Sequence, residues 1–199
     1  MQRGWSFQPR IKPRIRSEQE PREVMRQIPG RALWIGHVGD NRHPRPLLDA
    51  GIAAVIELAD SEPLATLPRE LIRCRFPLSD GGGNPPWLVR LAMESVATLV
   101  GAGIPTLVCC GCGMSRSVCV AACGIAIAER CRLEEALTAV AGSGPADVAP
   151  GLLVEVQAAL VHRATGEPRD DWERTLRKGA SDCGVSLPGE ALSSEGIYE

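Results

Sequence analysis

The chain has 199 residues, 44% of them hydrophobic but only 4% aromatic, and a formal net charge of −2. That length suits one main domain with tails, and the apolar content permits a core built mostly from aliphatic side chains. A body without a basic surplus argues against nucleic acid as the main partner, because phosphate-backbone binding needs clustered cations.

The first 27 residues are polar, basic and proline-bearing, and read as a disordered tail with no apolar leader. Residues 1–45 carry a net +6 and the remainder −8. The basic arm is expected to be solvated, with docking to an acidic partner or steering of a phosphorylated substrate as the alternative. The body is expected over residues 28–163. It begins with a strand near 33–36, a short helix near 45–50 and a strand near 53–58. A connection through Pro63 and Pro68 leads to a strand near 71–78. Asp80 follows on a loop with three consecutive glycines, Gly81 to Gly83. Asn84 is expected to cap a helix opening at Pro85 and Pro86, where proline fits the first turn. Ala92, Val96, Leu99 and Val100 recur at helical spacing on one face, and Trp87 is expected at the core or the rim. Gly101 and Gly103 end this helix.

A strand over 105–109 comes next. Residues 96–115 carry no charge, but their glycines and Pro105 break the run into helix end, turn, strand and loop rather than a membrane span. After Arg116 a helix is apolar nearly all round to Ile127 and should be buried. Helices near 133–141 and 150–162 close the body, and residues 164–199 read as a loose tail. Alternating strands and helices predict an α/β layered domain with a central mixed, mostly parallel sheet flanked by helices.

The chemistry concentrates where the 105–109 strand runs into Cys110-Gly111-Cys112-Gly113-Met114-Ser115-Arg116-Ser117. Glycines let a short loop curl so that successive N–H groups point inward. The following helix adds unpaired N–H groups and the positive end of its dipole, which makes an anion site. Arg116 supplies a planar fork for two phosphate oxygens. The same field favours the thiolate of Cys110, and a thiolate in line with a bound phosphate can attack phosphorus. Asp80 can donate a proton to the leaving oxygen, with Asp60, at the end of the 53–58 strand, as the runner-up acid. Asp80 also fits a plain Asp-Gly turn.

This segment resembles the signature of cysteine-based protein phosphatases: Cys, any five residues, Arg, then Ser or Thr. Ser115-Arg116-Ser117 is similar to the dual-specificity branch. Leu33-Trp34-Ile35-Gly36 resembles that family's entry strand, the stretch from Leu47 to Leu58 its helix-Gly-Ile-strand unit, and Pro77-Leu78-Ser79-Asp80 its acid loop, 30 positions before Cys110. The likeness covers roughly residues 28 to 163. It implies Cys110 as nucleophile, Arg116 as phosphate clamp, Asp80 as acid and Ser117 as the hydroxyl that supports the thiolate. The phosphate would lie against Gly111, Cys112, Gly113, Met114, Ser115 and Arg116. The resemblance implies no cofactor and no metal, and a phosphorylated protein or small phosphate ester as substrate. Where the family usually has histidine before the nucleophile, this chain has Cys109, which implies a less depressed thiol pKa or support from elsewhere.

Two further classes stay open: a phosphate-binding pseudophosphatase, and a cysteine-cluster metal or redox protein. Of eight cysteines, five fall between 109 and 123 in one block without a nearby histidine, unlike the separated ligand pairs of structural zinc. Cys119 and Cys123 read as buried helical residues. Cys112 is the better disulfide partner for Cys110, since bonding adjacent residues is strained. Unpaired cysteines and the missing leader predict a reducing cytoplasm. His37, His43 and His162 read as surface or capping residues. Oligomeric state and substrate identity are not encoded in any motif.

Overall fold

In a computed structural model of the chain, residues 25–63 and 66–165 are described. Of the tails expected over 1–27 and 164–199, residues 1–24 and 166–199 lie outside the described residues. The strands are β1 (Arg26–Gln27), β2 (Leu33–His37), β3 (Ala54–Ala59), β4 (Ile72–Leu78) and β5 (Thr106–Cys110). The helices are α1 (Pro44–Asp49), α2 (Pro86–Gly101), α3 (Arg116–Glu129), α4 (Leu133–Ala141) and α5 (Pro150–Thr165), with a 3-10 turn at Asp40–Arg42.

The strands form one sheet in the order β1-β2-β5-β3-β4, parallel throughout except for β1, which pairs antiparallel with β2. This is the expected mixed, mostly parallel α/β sheet. Strand β5 is central, and all five of its residues are buried. In register, Gly36 and Glu57 both sit beside Cys109, and His37 beside Cys110. Parallel pairing sends the ends of β3, β4 and β5 out along the same sheet edge, where open α/β sheets place ligands.

Alternation along β5 divides its side chains between two cores. Val108 and Cys110 face the larger one, beneath α2, α3, α4 and α5, with Met93, Val96, Val118, Ile125 and Leu152. Leu107 and Cys109 face a smaller one with Leu47 of α1, Ile52, Val55 and Leu71. Helix α3 is buried without a break from Arg116 to Ala126, as its apolar composition predicts. It packs tightly on α2 because position 124 is glycine. A Cβ there would overlap Val96 Cγ1 and come within 3.2 Å of the Ala97 backbone nitrogen. Gly124→Ala is therefore expected to destabilise the protein by about 1–2 kcal/mol, overpacking outweighing the gain in helix propensity. Adding Val96→Ala should recover part of that loss, which denaturant unfolding of the single and double variants measures.

Two local expectations need correction. Asn84 does not cap α2. The N-cap is Pro85, with no side-chain cap bond, and the Asn84 amide instead closes the preceding loop, accepting from Ser79 N–H at 2.7 Å and donating to Ser79 O at 3.0 Å. Arg26 and Gln27, assigned by composition to the tail, pair with Ile35 and Trp34. Among the described residues, no helix is long and apolar enough to cross a membrane.

Candidate active site

Cys110 is the last residue of β5 and Arg116 the first of α3, so residues 111–115 turn the chain between them. The turn is tight because Gly113 adopts φ +74° and lies against β2; a Cβ there would meet Gly36 O at 2.8 Å. The Cys110 thiol is 3% exposed. Its Sγ lies 3.3 Å from Ser117 Oγ and accepts the Gly113 N–H at 3.3 Å. Burial pushes this thiol up, but the Ser117 and Gly113 bonds and the Arg116 charge outweigh it and hold it below the ordinary value.

The loop is braced from outside. Arg26 Nη2 donates to Gly113 O at 2.9 Å and Pro145 O at 2.8 Å, and Arg26 Nε to Ser143 Oγ at 3.3 Å. Asp147 N–H donates to Met114 O at 2.9 Å. In a trans peptide the N–H points opposite to the carbonyl. Fixing these two carbonyls outward therefore turns the N–H groups of Met114 and Ser115 the other way. Ser115 Oγ accepts Ala149 N–H at 3.2 Å, tying the start of α3 to the start of α5.

Arg116 lies over this loop, 9% exposed. Its Nη1 donates to Leu78 O at 2.8 Å and to Asp60 Oδ1 at 3.1 Å, and its Nε stands 3.7 Å from Asp80 Oδ1. Both acids named from the sequence therefore reach the same guanidinium, from the ends of β3 and β4. For Asp60, desolvation pushes the carboxyl up. The N–H groups of Asp60 and Ser61 and the Arg116 charge overcome this and hold it low.

The Asp80 loop, despite its three consecutive glycines, is fastened at its far end. Glu155 of α5 accepts N–H bonds from Gly83 and Asn84 and the Asn84 side-chain amide. Sequence reasoning missed Arg26 and Glu155, and only their contacts reveal them. Trp87 is 42% exposed on the first turn of α2, at the rim rather than in the core.

Cys109 points to the opposite face of β5 from Cys110. Asn41 Nδ2 donates to Cys109 Sγ and Glu57 Oε1, both at 3.0 Å. Glu57 is in turn paired with Arg73, whose Nη2 is 2.6 Å from Oε2. Burial, with Glu57 adding to it, pushes the Cys109 thiol up to about 12. With Cys109 held neutral, the groups that favour a thiolate at Cys110 are Ser117, Gly113 and the Arg116 charge. Alkylation by iodoacetamide is expected to follow a titration below the ordinary thiol pKa at Cys110 and to spare Cys109 in the folded protein. Because the depressed pKa comes first from the hydroxyl, Ser117→Ala should move that inflection to higher pH; an unmoved profile would assign the effect elsewhere.

Cys112 is exposed, and the cysteines of the described residues are all free. Among those residues, no three His, Cys, Asp or Glu side chains are grouped to hold a metal ion.

The architecture matches solved structures along most of their length. A mouse protein described as a dual specificity phosphatase, complexed with zinc tungstate, aligns with a TM-score of 0.65 at 20% identity over 76% of this chain and 96% of its own. Human DUSP28 gives 0.63 at 20% identity over 72% and 100%. The human tyrosine phosphatase-like serine/threonine/tyrosine-interacting protein gives 0.60 at 16% identity over 72% and 99%. No protein-family model matches the chain, and no curated protein matches it by sequence. The chain thus has the dual-specificity phosphatase fold.

Proposed function

We propose that the protein is a cysteine-dependent phosphate monoester hydrolase of the dual-specificity type. The observation that carries this reading is the Cys110 thiol, lowered in pKa between Ser117 Oγ and the Gly113 N–H and close to the Arg116 guanidinium. A phosphate dianion is taken up by the loop amides and the α3 N-terminus, with Arg116 binding two of its oxygens. Cys110 Sγ attacks phosphorus. The S–P bond forms as the P–O ester bond breaks, and Asp80 gives its proton to the departing oxygen. Water then attacks the phosphocysteine, with the Asp80 carboxylate taking a proton from it. The S–P bond breaks, inorganic phosphate leaves, and Ser117 stabilises the returning thiolate.

The substrate is a phosphorylated protein or a small phosphate ester. The test is turnover of an aryl phosphate by the purified chain, with release of inorganic phosphate that depends on Cys110. A second reading is a phosphate-binding module without turnover. It is favoured by the engagement of Arg116 with two carboxylates, Asp60 and Asp80, and by the sharing of this fold with a tyrosine phosphatase-like interacting protein. Oxyanion binding without any Cys110-dependent release of phosphate would select it.

A further inference from the structure

A guanidinium has five N–H donors fixed in one plane. In Arg116 the two donors of Nη1 are both used, one on Leu78 O at 2.8 Å and one on Asp60 Oδ1 at 3.1 Å. Nε is buried and has no hydrogen-bond acceptor among the described residues, the Asp80 carboxylate standing 3.7 Å away. Nη2 lies over the phosphate loop, 3.2 Å from where a Cβ would stand on Gly111. The edge formed by Nε and Nη2, with Nη2 beside the loop, is therefore the pair of parallel donors not committed through Nη1, and it is the edge that fits two oxygens of an oxyanion.

One hydrogen bond, to Leu78 O, would leave the plane free to swing about it. Two acceptors on Nη1 fix its roll. Asp60 is itself held in place. Its carboxylate accepts Ser61 N–H at 2.9 Å. Its strand-end loop is gathered by Arg75 Nη2, which donates to Glu62 O at 3.0 Å, with longer bonds to Asp60 O and Ala59 O. We infer that Asp60 is a positioning residue, which sets the roll of the Arg116 guanidinium so that its Nε–Nη2 edge faces the oxyanion. It is not the proton donor. The inference rests on the phosphatase reading and adds to it a residue that acts through Arg116.

The experiment compares Asp60→Ala and Asp60→Asn with wild type in two measurements, vanadate affinity by calorimetry and kinetics on aryl phosphates of graded leaving-group pKa. Asp60→Ala is expected to weaken vanadate binding and raise KM roughly tenfold, below the ~10²-fold that a full 1 Å misplacement costs. That loss should be the same for good and poor leaving groups. Asp60→Asn keeps an oxygen acceptor and removes a negative charge near the anion, so it should recover wild-type affinity or better.

Unchanged vanadate affinity in Asp60→Ala would overturn the inference. So would a loss that grows with leaving-group pKa, or an Asn variant as impaired as Ala. If wild type shows no Cys110-dependent turnover, the phosphatase reading falls while the vanadate comparison still decides the role of Asp60. A wild type that binds no vanadate overturns both.

Discussion

Replacing Cys110 by serine is expected to remove turnover of an aryl phosphate while leaving vanadate binding within a few-fold of wild type. The serine hydroxyl stays protonated at neutral pH, and neither partner of the Cys110 side chain, Ser117 Oγ nor the Gly113 N–H, is a base that could ionise it. Both can donate a hydrogen bond to a sulfur anion, which lowers the thiol pKa, but neither can take a proton from an alcohol. The loss in kcat should be about 10⁴-fold or more, the scale on which removal of a covalent nucleophile acts. Binding should persist because the N–H groups braced by Arg26 and Asp147 belong to the backbone, and Arg116 keeps its anchors on Leu78 O and Asp60. Trapping adds a second readout. Acid quenching during turnover should yield phosphate attached to the wild-type protein and none on the serine variant. Retained activity in the variant would end the mechanism.

The order of elements could be read from sequence because it rests on local signals. Apolar runs of strand length alternate with helical periodicity, and Gly101, Gly103, Gly111 and Gly113 punctuate them. The strand-turn-helix unit that holds Cys110, Arg116 and Ser117 was legible for the same reason, its signals lying within a dozen neighbouring residues. What stayed hidden depends on contacts between residues far apart in the chain. Arg26 sits in a stretch whose composition signals a tail, yet it reaches Gly113 O, 87 positions away. Glu155 is one carboxylate among many until it meets Asn84, 71 positions back. Asn84 was read as a helix cap because that is its commonest local use; its two bonds to Ser79 make it a loop closure instead. The choice between Asp60 and Asp80 is similar. Each follows a strand in sequence, and only the parallel register of β3 beside β4 brings both to one arginine.

That convergence makes Asp80→Asn the sharper test of proton donation. A departing phenoxide of low pKa needs no proton, whereas an alkoxide cannot leave without one. If Asp80 is the acid, the Asn variant should hydrolyse substrates with poor leaving groups about 10²-fold more slowly and those with good ones nearly as fast as wild type, within the ~10²–10⁴-fold range of general acid catalysis. The basic side of the reaction leaves its own mark. In the proposed mechanism the water that hydrolyses the intermediate gives its proton to the Asp80 carboxylate, so phosphocysteine should accumulate in Asp80→Asn when a good leaving group makes the first step fast. Asp80 is half exposed, and among the described residues its ion pair is the 3.7 Å approach to Arg116 Nε, so its replacement should leave the fold unstrained and the comparison clean. Asp60 differs in the respect the assay measures: its Oδ1 accepts from Arg116 Nη1 and Ser61 N–H, so its loss should act through the arginine and fall equally on all leaving groups. A uniform loss across leaving groups in Asp80→Asn, together with a graded loss in Asp60→Ala, would exchange the two roles.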